Sequence, residues 1–421
     1  GRFPETARLD DFLCEPAPDA CVRGVLFFGE WFPVMYKILT LNNISVSGLE
    51  RLPRDRYEIA SEIQNPDGVL LRSFSMHDWP IPTSLKAVGR AGAGVNNIPV
   101  PQMTAKGVCV FNAPGANANA VKELVIAGML LAARNICPAW DYARNLQGTD
   151  AELSKQVESG KKKFVGIELP NRTLGVIGLG AIGVKVANAA RALGMRVIGY
   201  DPHITVSNAW QLSSQVEQVL SVNEMAAQAD FITLHVPLNN DTRHLINAQF
   251  LKNSRSELTL LNFSREGVVD EEALYEALQA GKLRTYVCDF PTNRLKDHPR
   301  VIMLPHLGAS TGEAEENCAI MVADQVRDYL ENGTIHNSVN FPEMIMPRNG
   351  GPRLAIVNAN VPHMIERISK AISGAGINIL DMLNKSRGEI ACTLVDTASP
   401  VSPEVIAQIA DTQGVLGVRA L

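Results

Sequence analysis

The stretch LGVIGLGAIGVKVANAARALGMRVIGYD, Leu174 to Asp201, decides the fold. It opens on an apolar run, Leu174–Ile177, which reads as a short buried strand. Gly178, Gly180 and Gly183 follow in G-x-G-x-x-G spacing. Ile182, Val186, Ala190 and Leu193 then recur at helical spacing. A second apolar run, Arg196–Tyr200, ends on Asp201. The order is strand, glycine turn, helix, strand, acid.

Each part has a physical task. Gly178 allows a tight turn out of the strand. Gly180 has no side chain, so a pyrophosphate can approach the backbone. Gly183 lets the helix pack close on the strand. The start of the helix offers free N–H groups and the positive end of its dipole to phosphates. Asp201 stands where a carboxylate accepts hydrogen bonds from an adenosine ribose, and a 2′-phosphate there would meet a negative charge. Pro202, His203 and Ile204 follow, with no Arg or Lys. The pattern therefore points to NAD rather than NADP. The bland alternative, a glycine turn that binds nothing, does not account for strand, helix and acid all being in place.

Working outward, 421 residues suffice for two or three domains. The net charge of −5 gives no sign of a nucleic-acid or bilayer partner. No apolar run approaches the roughly 20 residues of a membrane span. The seven cysteines are dispersed without a C-x-x-C pair, which suits a reducing, cytoplasmic setting. No metal is expected. Residues 1–34 fit nothing that follows and are expected to be a non-native or disordered leader, with the native start at Met35.

From Met35 to about Pro114, short apolar runs alternate with turn-rich stretches. Gly68–Leu71, Leu85–Val88 and Gly107–Phe111 read as strands of a parallel β/α unit. Arg72 and Ser73 fall at a strand end, where open α/β sheets bind ligands; a solvated strand end is as good a reading from these residues alone. Gly89–Gly94 resembles a second nucleotide loop, but Pro99 and Pro101 limit any helix after it. An anion nest for a substrate carboxylate is the better reading. Val121–Ile136 reads as a helix leading into the nucleotide domain. Phe231–Pro237, Leu258–Asn262, Tyr286–Pro291 and Val301–Pro305 read as further strands, and Glu313–Leu330 as an amphipathic helix. Asn337–Gly351 reads as a linker. Arg353–Leu421 reads as β-α-β-β-α-β, the ferredoxin-like arrangement.

Three residues at the strand ends could carry chemistry. Arg265 could hold a carboxylate and polarise a carbonyl. His306 could take a proton as hydride leaves. Asp289 could accept from a nicotinamide amide or sit near the histidine. Each has a bland counterpart: strand-end arginines are usually solvated, and a lone histidine is more often structural. His235 also ends a buried strand, so position does not choose between the two histidines.

The chain after Met35 resembles the D-2-hydroxyacid dehydrogenase family. GRAGAGVNNI at Gly89–Ile98, ELVIAGMLLAARNI at Glu123–Ile136, TLGVIGLGAIG at Thr173–Gly183, HVPLNNDTRHLIN at His235–Asn247, NFSREGVVDEEAL at Asn262–Leu274 and PHLGAST at Pro305–Thr311 carry the likeness. IVNANVP at Ile356–Pro362 and GINIL at Gly376–Leu380 make the C-terminal unit similar to an ACT domain. The resemblance implies an α/β protein with a Rossmann NAD-binding domain at residues 120–308. It implies a flavodoxin-like substrate domain at residues 35–119 and 309–349, and an ACT domain at residues 352–421.

The implied activity is NAD-dependent oxidation of 3-phospho-D-glycerate to 3-phosphohydroxypyruvate, the entry to serine synthesis, by two or four copies of the chain. A glyoxylate, hydroxypyruvate or 2-oxoglutarate reductase is the alternative within the family. An NAD-sensing binding protein is the alternative outside it. Arg265 and His306 are the implied catalytic pair. Arg72, Ser73, Gly94, Val95 and Asn96 would bind substrate. Cofactor contacts would come from Gly178, Gly180, Ala181, Ile182, Gly183, Asp201, His235, Val236, Pro237, Phe263, Ser264, Asp289 and Gly308. Asn358, Asn360 and Asn378 would meet a serine effector. Three departures stand out. Asn293 occupies the place of a Glu that orients the histidine in relatives, Glu266 replaces the glycine after the arginine, and Pro362-His363 replaces Pro-Gly.

Overall fold

A computed structural model describes residues 35–421; the leader expected at residues 1–34 lies outside the described residues. Three sheets organise this part of the chain. The first is built from β1 (Tyr36–Leu41), β2 (Tyr57–Ala60), β3 (Gly68–Leu71), β4 (Ala87–Arg90) and β5 (Cys109–Phe111), in the order β2-β1-β3-β4-β5. All its pairings are parallel. This is one of the two common doubly wound orders. Every residue of β3 is buried, as expected of a strand covered by helices on both faces.

Helix α1 (Ala118–Ala133) leads to the second sheet. The expected helix ran to Ile136, but Asn135 adopts a left-handed conformation (φ 53°) and breaks it. Two further helices, α2 (Ile136–Arg144) and α3 (Asp150–Gly160), follow where no element was expected. A capping box between Thr149 and Glu152 starts α3.

The second sheet has seven parallel strands: β6 (Thr173–Ile177), β7 (Arg196–Tyr200), β8 (Glu217–Gln218), β9 (Phe231–Leu234), β10 (Leu258–Asn262), β11 (Leu283–Cys288) and β12 (Val301–Met303). Their order is β12-β11-β10-β9-β6-β7-β8. The direction of winding reverses between β6 and β9, which opens a crevice at their carboxyl ends. Helix α4 (Ala181–Ala192) starts at that crevice, and α5 (Glu271–Gln279) follows β10. Helix α6 (Gly312–Asn332) returns to the first sheet. A Cβ at Gly68 would lie 3.3 Å from Val326, and one at Gly89 would lie 3.0 Å from it, so the two glycines let α6 lie close on β3 and β4.

The third sheet is antiparallel: β13 (Arg353–Ala359), β14 (Ile379–Arg387), β15 (Ile390–Thr397) and β16 (Val415–Ala420), in the order β14-β15-β13-β16. With α7 (Met364–Gly374) and α8 (Pro403–Ala410) it has the β-α-β-β-α-β order read from the sequence. The segment expected to be a linker is not a solvated one. Phe341, Met344 and Met346 are buried in one cluster with Ala355, Val357 and Leu394 of the third sheet and Tyr329 and Leu330 of α6. The third sheet thus packs one face on α7 and α8 and the other on the first domain. Arg353 fastens this contact. Its guanidinium, 1% exposed, makes a two-pronged pair with Asp396 at 2.6 and 2.9 Å. It also donates to the carbonyls of Asn332, Met346 and Pro347.

Candidate functional site

The glycine turn has the geometry its sequence calls for. Gly178 takes φ 91°. A Cβ there would fall 2.4 Å from the carbonyl oxygen of His235, across the crevice between β6 and β9. A Cβ on Gly183 would fall 1.9 Å from the carbonyl oxygen of Gly178, whereas one on Gly180 would meet nothing within 4 Å. Only Gly180 faces open space, as backbone contacted by a pyrophosphate must. Asp201 accepts from the N–H of Leu179 through Oδ2 and from the N–H of His203 through Oδ1, both at 2.8 Å. Each oxygen keeps a lone pair for a ribose hydroxyl. Beside it Leu179, Ile204, Leu212 and Val216 wall a cavity of about 200 Å³ that suits a flat aromatic base.

A second cavity of about 300 Å³ continues along the strand ends. Gly180, Ala181, Ile182, His235, Val236, Pro237, Phe263, Ser264, Asp289 and Gly308 all border it, with Arg265 and His306. The sequence reading missed Pro114, Gly115 and Asn117, which close it from the loop before α1, and Val121 in the first turn of α1. That loop is rich in Asn, Ala and Gly, and nothing in its composition says which of its residues turn inward.

Buried Asn262 shapes the turn carrying Arg265. Its Nδ2 donates to the Arg265 carbonyl at 2.9 Å, and its Oδ1 accepts from the Ser264 N–H and hydroxyl at 3.1 and 2.9 Å. Arg265 Nη1 donates to the Ser264 carbonyl. A Cβ on Gly94 would lie 3.8 Å from Arg265 Nη2 and 3.6 Å from the Asn96 side chain, so the first domain's glycine loop meets Arg265 across the cleft. His77 Nε2 lies 2.9 Å from the Asn96 carbonyl, and Asn112 donates to the Ala93 carbonyl at 2.6 Å; together they clamp this loop. Val95 belongs to the same loop.

Arg72, directly after β3, pairs through Nη1 with Glu315 of α6 at 2.6 Å; Ser73 next to it is exposed. Arg90, at the end of β4, donates to the Arg72 carbonyl at 3.1 Å. Burial holds the Arg90 guanidinium below its usual range, and the positive charges of Arg72 and Arg265 push in the same direction. Arg90 thus lies against the backbone of Arg72, within reach of the charges of Arg72 and Arg265. Arg90 lies inside the quoted GRAGAG run, but the glycines drew the reading and the arginine was not singled out.

Asp289, 2% exposed, borders the second cavity. Both oxygens are occupied by backbone N–H groups, those of Leu307 at 3.0 Å and Gly308 at 2.7 Å. It thus fixes the loop bearing His306, which sits at φ 56° with its ring edge-to-face with Phe290 at 5.4 Å. His235 differs from His306. Its Nε2 lies 3.0 Å from the Thr233 hydroxyl, and desolvation pushes the imidazole down to about 3. A neutral, hydrogen-bonded ring of that kind is a poor proton acceptor. The His306 residue, by contrast, is exposed.

The third-sheet asparagines do not share one environment. Asn358 is 1% exposed in β13 and donates to the Ala359 carbonyl, whereas Asn360 and Asn378 are exposed. Asn360 donates to the Gly388 carbonyl at 3.1 Å. Among the described residues no group of three or more His, Cys, Asp or Glu side chains could hold a metal. Among them, too, no helix is long and apolar enough to cross a membrane.

A doubly wound dinucleotide domain facing a second α/β domain, with the cleft between them lined by arginines and a histidine, defines the class. Residues 127–308 match the family model described as D-isomer specific 2-hydroxyacid dehydrogenase, NAD binding domain. The open Gly180 and the carboxylate of Asp201 fit that cofactor. The chain is 38% identical over 343 residues to a D-3-phosphoglycerate dehydrogenase of Methanocaldococcus jannaschii, covering 79% of this chain and 62% of the relative. It is 35% identical over 330 residues to the enzyme of that name from Rattus norvegicus, covering 76% and 59%. The chain thus spans about three fifths of the length of these relatives. Among solved structures it is similar to an NAD+-bound 3-phosphoglycerate dehydrogenase of Entamoeba histolytica (TM-score 0.56, 25% identity, covering 72% of this chain and 99% of that one). A D-mandelate dehydrogenase of Rhodotorula graminis shares the fold (TM-score 0.63, 21% identity, covering 75% and 100%).

Proposed function

We propose that the chain is an NAD-dependent D-2-hydroxyacid dehydrogenase that oxidises 3-phospho-D-glycerate to 3-phosphohydroxypyruvate, the first step of the phosphorylated route to serine. The observation that carries this reading is the set of arginines beside the Gly94 loop: Arg90 on the Arg72 carbonyl, Arg265 facing Gly94, and Arg72 with Glu315 as its countercharge. A 2-hydroxy acid without phosphate brings one negative charge. A phosphate monoester adds about −1.5 to −2 at neutral pH, which calls for more guanidinium groups than the one a carboxylate needs. Bidentate contacts from planar guanidinium groups suit both carboxylate and phosphate.

In this reading Arg265 holds the substrate carboxylate and polarises the C2 oxygen. Arg72, Arg90 and Ser73 hold the phosphate end, and the Gly94–Asn96 loop facing Arg265 helps hold the carboxylate. His306, as the neutral base, takes the proton from the C2 hydroxyl. NAD, when bound along the glycine turn, accepts the hydride. Asp289 keeps the His306 loop in place through its two backbone N–H bonds. Pro114, Gly115 and Val121 help to exclude water from the reacting end. The β-α-β-β-α-β module is read as an ACT domain that senses serine or joins subunits, in an assembly of two or four copies in the cytoplasm.

The test is His306→Ala measured two ways. NADH formation from NAD and 3-phosphoglycerate should fall by about 10²–10⁴-fold, the usual worth of a positioned general base. NADH binding, read by fluorescence, should persist. Undiminished turnover would reject the role of His306. A wild-type protein that binds NADH yet turns over no 2-hydroxy acid would support the NAD-sensing alternative.

A further inference from the structure

Among the described residues, only one of the three arginines beside the Gly94 loop has an ion-pair partner: Arg72, whose Nη1 lies 2.6 Å from Oε1 of Glu315. The fold fixes both ends of this pair. Arg72 directly follows β3, and its carbonyl accepts from Arg90 Nε at 3.1 Å and from Asn97 Nδ2 at 3.2 Å. Asn97 Nδ2 donates to the Phe74 carbonyl as well, at 2.7 Å. The backbone at Arg72 is thus tied down, and only its side chain is free to change partners. Glu315 stands in the first turn of α6, where the Thr311 hydroxyl accepts from the Ala314 N–H at 3.1 Å and sets the helix start.

Three features make the pair replaceable. The Arg72 and Glu315 side chains are 40% and 45% exposed, so water screens their attraction and the pair is a weak one. The contact is also ionic without the alignment of a hydrogen bond, whereas the Arg51–Asp324 pair further along α6 is both. Glu315 therefore neutralises Arg72 without aiming its guanidinium. Finally, a carboxylate in the first turn of a helix is stabilised by the helix dipole, so Glu315 keeps a favourable place when Arg72 leaves it. A phosphate monoester brings about −1.5 to −2 at neutral pH. It outweighs the single charge of the carboxylate at Arg72, and its own negative charge repels Glu315 from the same spot.

We propose that Glu315 is a specificity-determining residue: it holds Arg72 while the cleft is empty and is displaced when a phosphate arrives. Every phosphorylated ligand must break this pair, and a 2-hydroxy acid without a distal charge leaves it intact. Glu315 thus sets how far the site favours a phosphorylated substrate over an unphosphorylated one. The inference deepens the dehydrogenase reading and rests on Arg72 as a phosphate contact.

The test uses the full chain with Glu315→Gln, which removes the charge and keeps the size of the side chain, and with Glu316→Gln as the control. Glu316 is the exposed neighbour, without an ion-pair partner among the described residues. In Glu315→Gln the KM for 3-phosphoglycerate should fall by about two- to fivefold, the range of an exposed ion pair, while the KM for D-glycerate stays in place. In an Arg72→Met background the same change should move neither, as a double-mutant cycle requires of a direct pair. A KM for 3-phosphoglycerate that rises in Glu315→Gln would show the carboxylate aiming Arg72 and would overturn the proposal. An unchanged KM, an equal fall in Glu316→Gln, or an effect that survives without Arg72 would overturn it too. Binding of methyl phosphate, followed by calorimetry, does not depend on turnover. A chain that turns over no 2-hydroxy acid, yet binds methyl phosphate about two- to fivefold more tightly as Glu315→Gln, would keep the pairing and reject the dehydrogenase reading. Equal methyl phosphate affinity in wild type and Glu315→Gln would overturn the pairing itself.

Discussion

Replacing Asp289 is the sharpest perturbation of the His306 loop. The carboxylate is 2% exposed and accepts at 3.0 Å from Leu307 and at 2.7 Å from Gly308, whose N–H is itself buried. Hydrogen bonds to a charged group contribute about 1.5–3 kcal/mol each, and a buried donor left without a partner costs about 1–3 kcal/mol. Asp289→Ala should therefore cost about 3–5 kcal/mol in total. Asp289→Asn, which keeps one acceptor oxygen, should cost about half of that. His306 is held at φ 56°, a conformation that a residue other than glycine keeps only when its surroundings impose it. Part of the loss should therefore appear as a loosened loop rather than as global unfolding. Urea denaturation by circular dichroism gives the global share, and NADH formation gives the local one. The expected outcome for Asp289→Ala is a lower urea midpoint and kcat down by about 10²-fold, the scale of a misplaced catalytic group. A wild-type midpoint together with wild-type kcat would refute the reasoning, because the two N–H bonds would then hold nothing in place.

Gly183→Ala places a Cβ 1.9 Å from a backbone oxygen, so α4 must shift off β6; NADH affinity by fluorescence titration should fall by about 10²-fold or more. Breaking the buried Arg353–Asp396 pair with Arg353→Met should cost about 3–5 kcal/mol in denaturant unfolding, and the double variant Arg353→Met/Asp396→Leu should recover much of it. His235 is held near 3 in the folded chain against about 6.5 unfolded, so its neutral form stabilises the fold fully above about pH 6.5, and that share is lost as pH falls from there toward 3. The stability difference between wild type and His235→Gln should shrink by up to about 1.4 kcal/mol per pH unit over that window, and a difference independent of pH would count against a desolvated ring.

The sequence made the cofactor half of the site readable because its chemistry is local. A glycine turn, the helix start and the acid at the next strand end are fixed by spacing of a few residues, and the structure places Gly178, Gly180, Gly183 and Asp201 accordingly. The arginine half was readable only in part. Arg72 and Arg265 fall at strand ends that a pattern can find, but whether Arg90 joins them depends on how β3 and β4 lie beside each other, which no local pattern states. Asp289 shows the converse. Its place near the histidine was legible and its partners were not, because they are backbone N–H groups contributed by a loop beyond β12. The segment at residues 337–351 looked like a linker from its Pro, Gly and Asn. Its burial depends on the third sheet packing against it and on Arg353, a contact made in tertiary structure alone.

The central claim is that the arginine cluster selects a phosphorylated 2-hydroxy acid. The most direct measurement is kcat/KM for 3-phosphoglycerate against D-glycerate, in wild type and in Arg90→Met, by NADH formation. Each charge-assisted contact to the phosphate contributes about 1.5–3 kcal/mol, so wild type should prefer the phosphorylated substrate by about 10²-fold or more, and Arg90→Met should remove most of that preference. Equal use of both substrates by wild type, or a preference that survives the loss of Arg90, would contradict it.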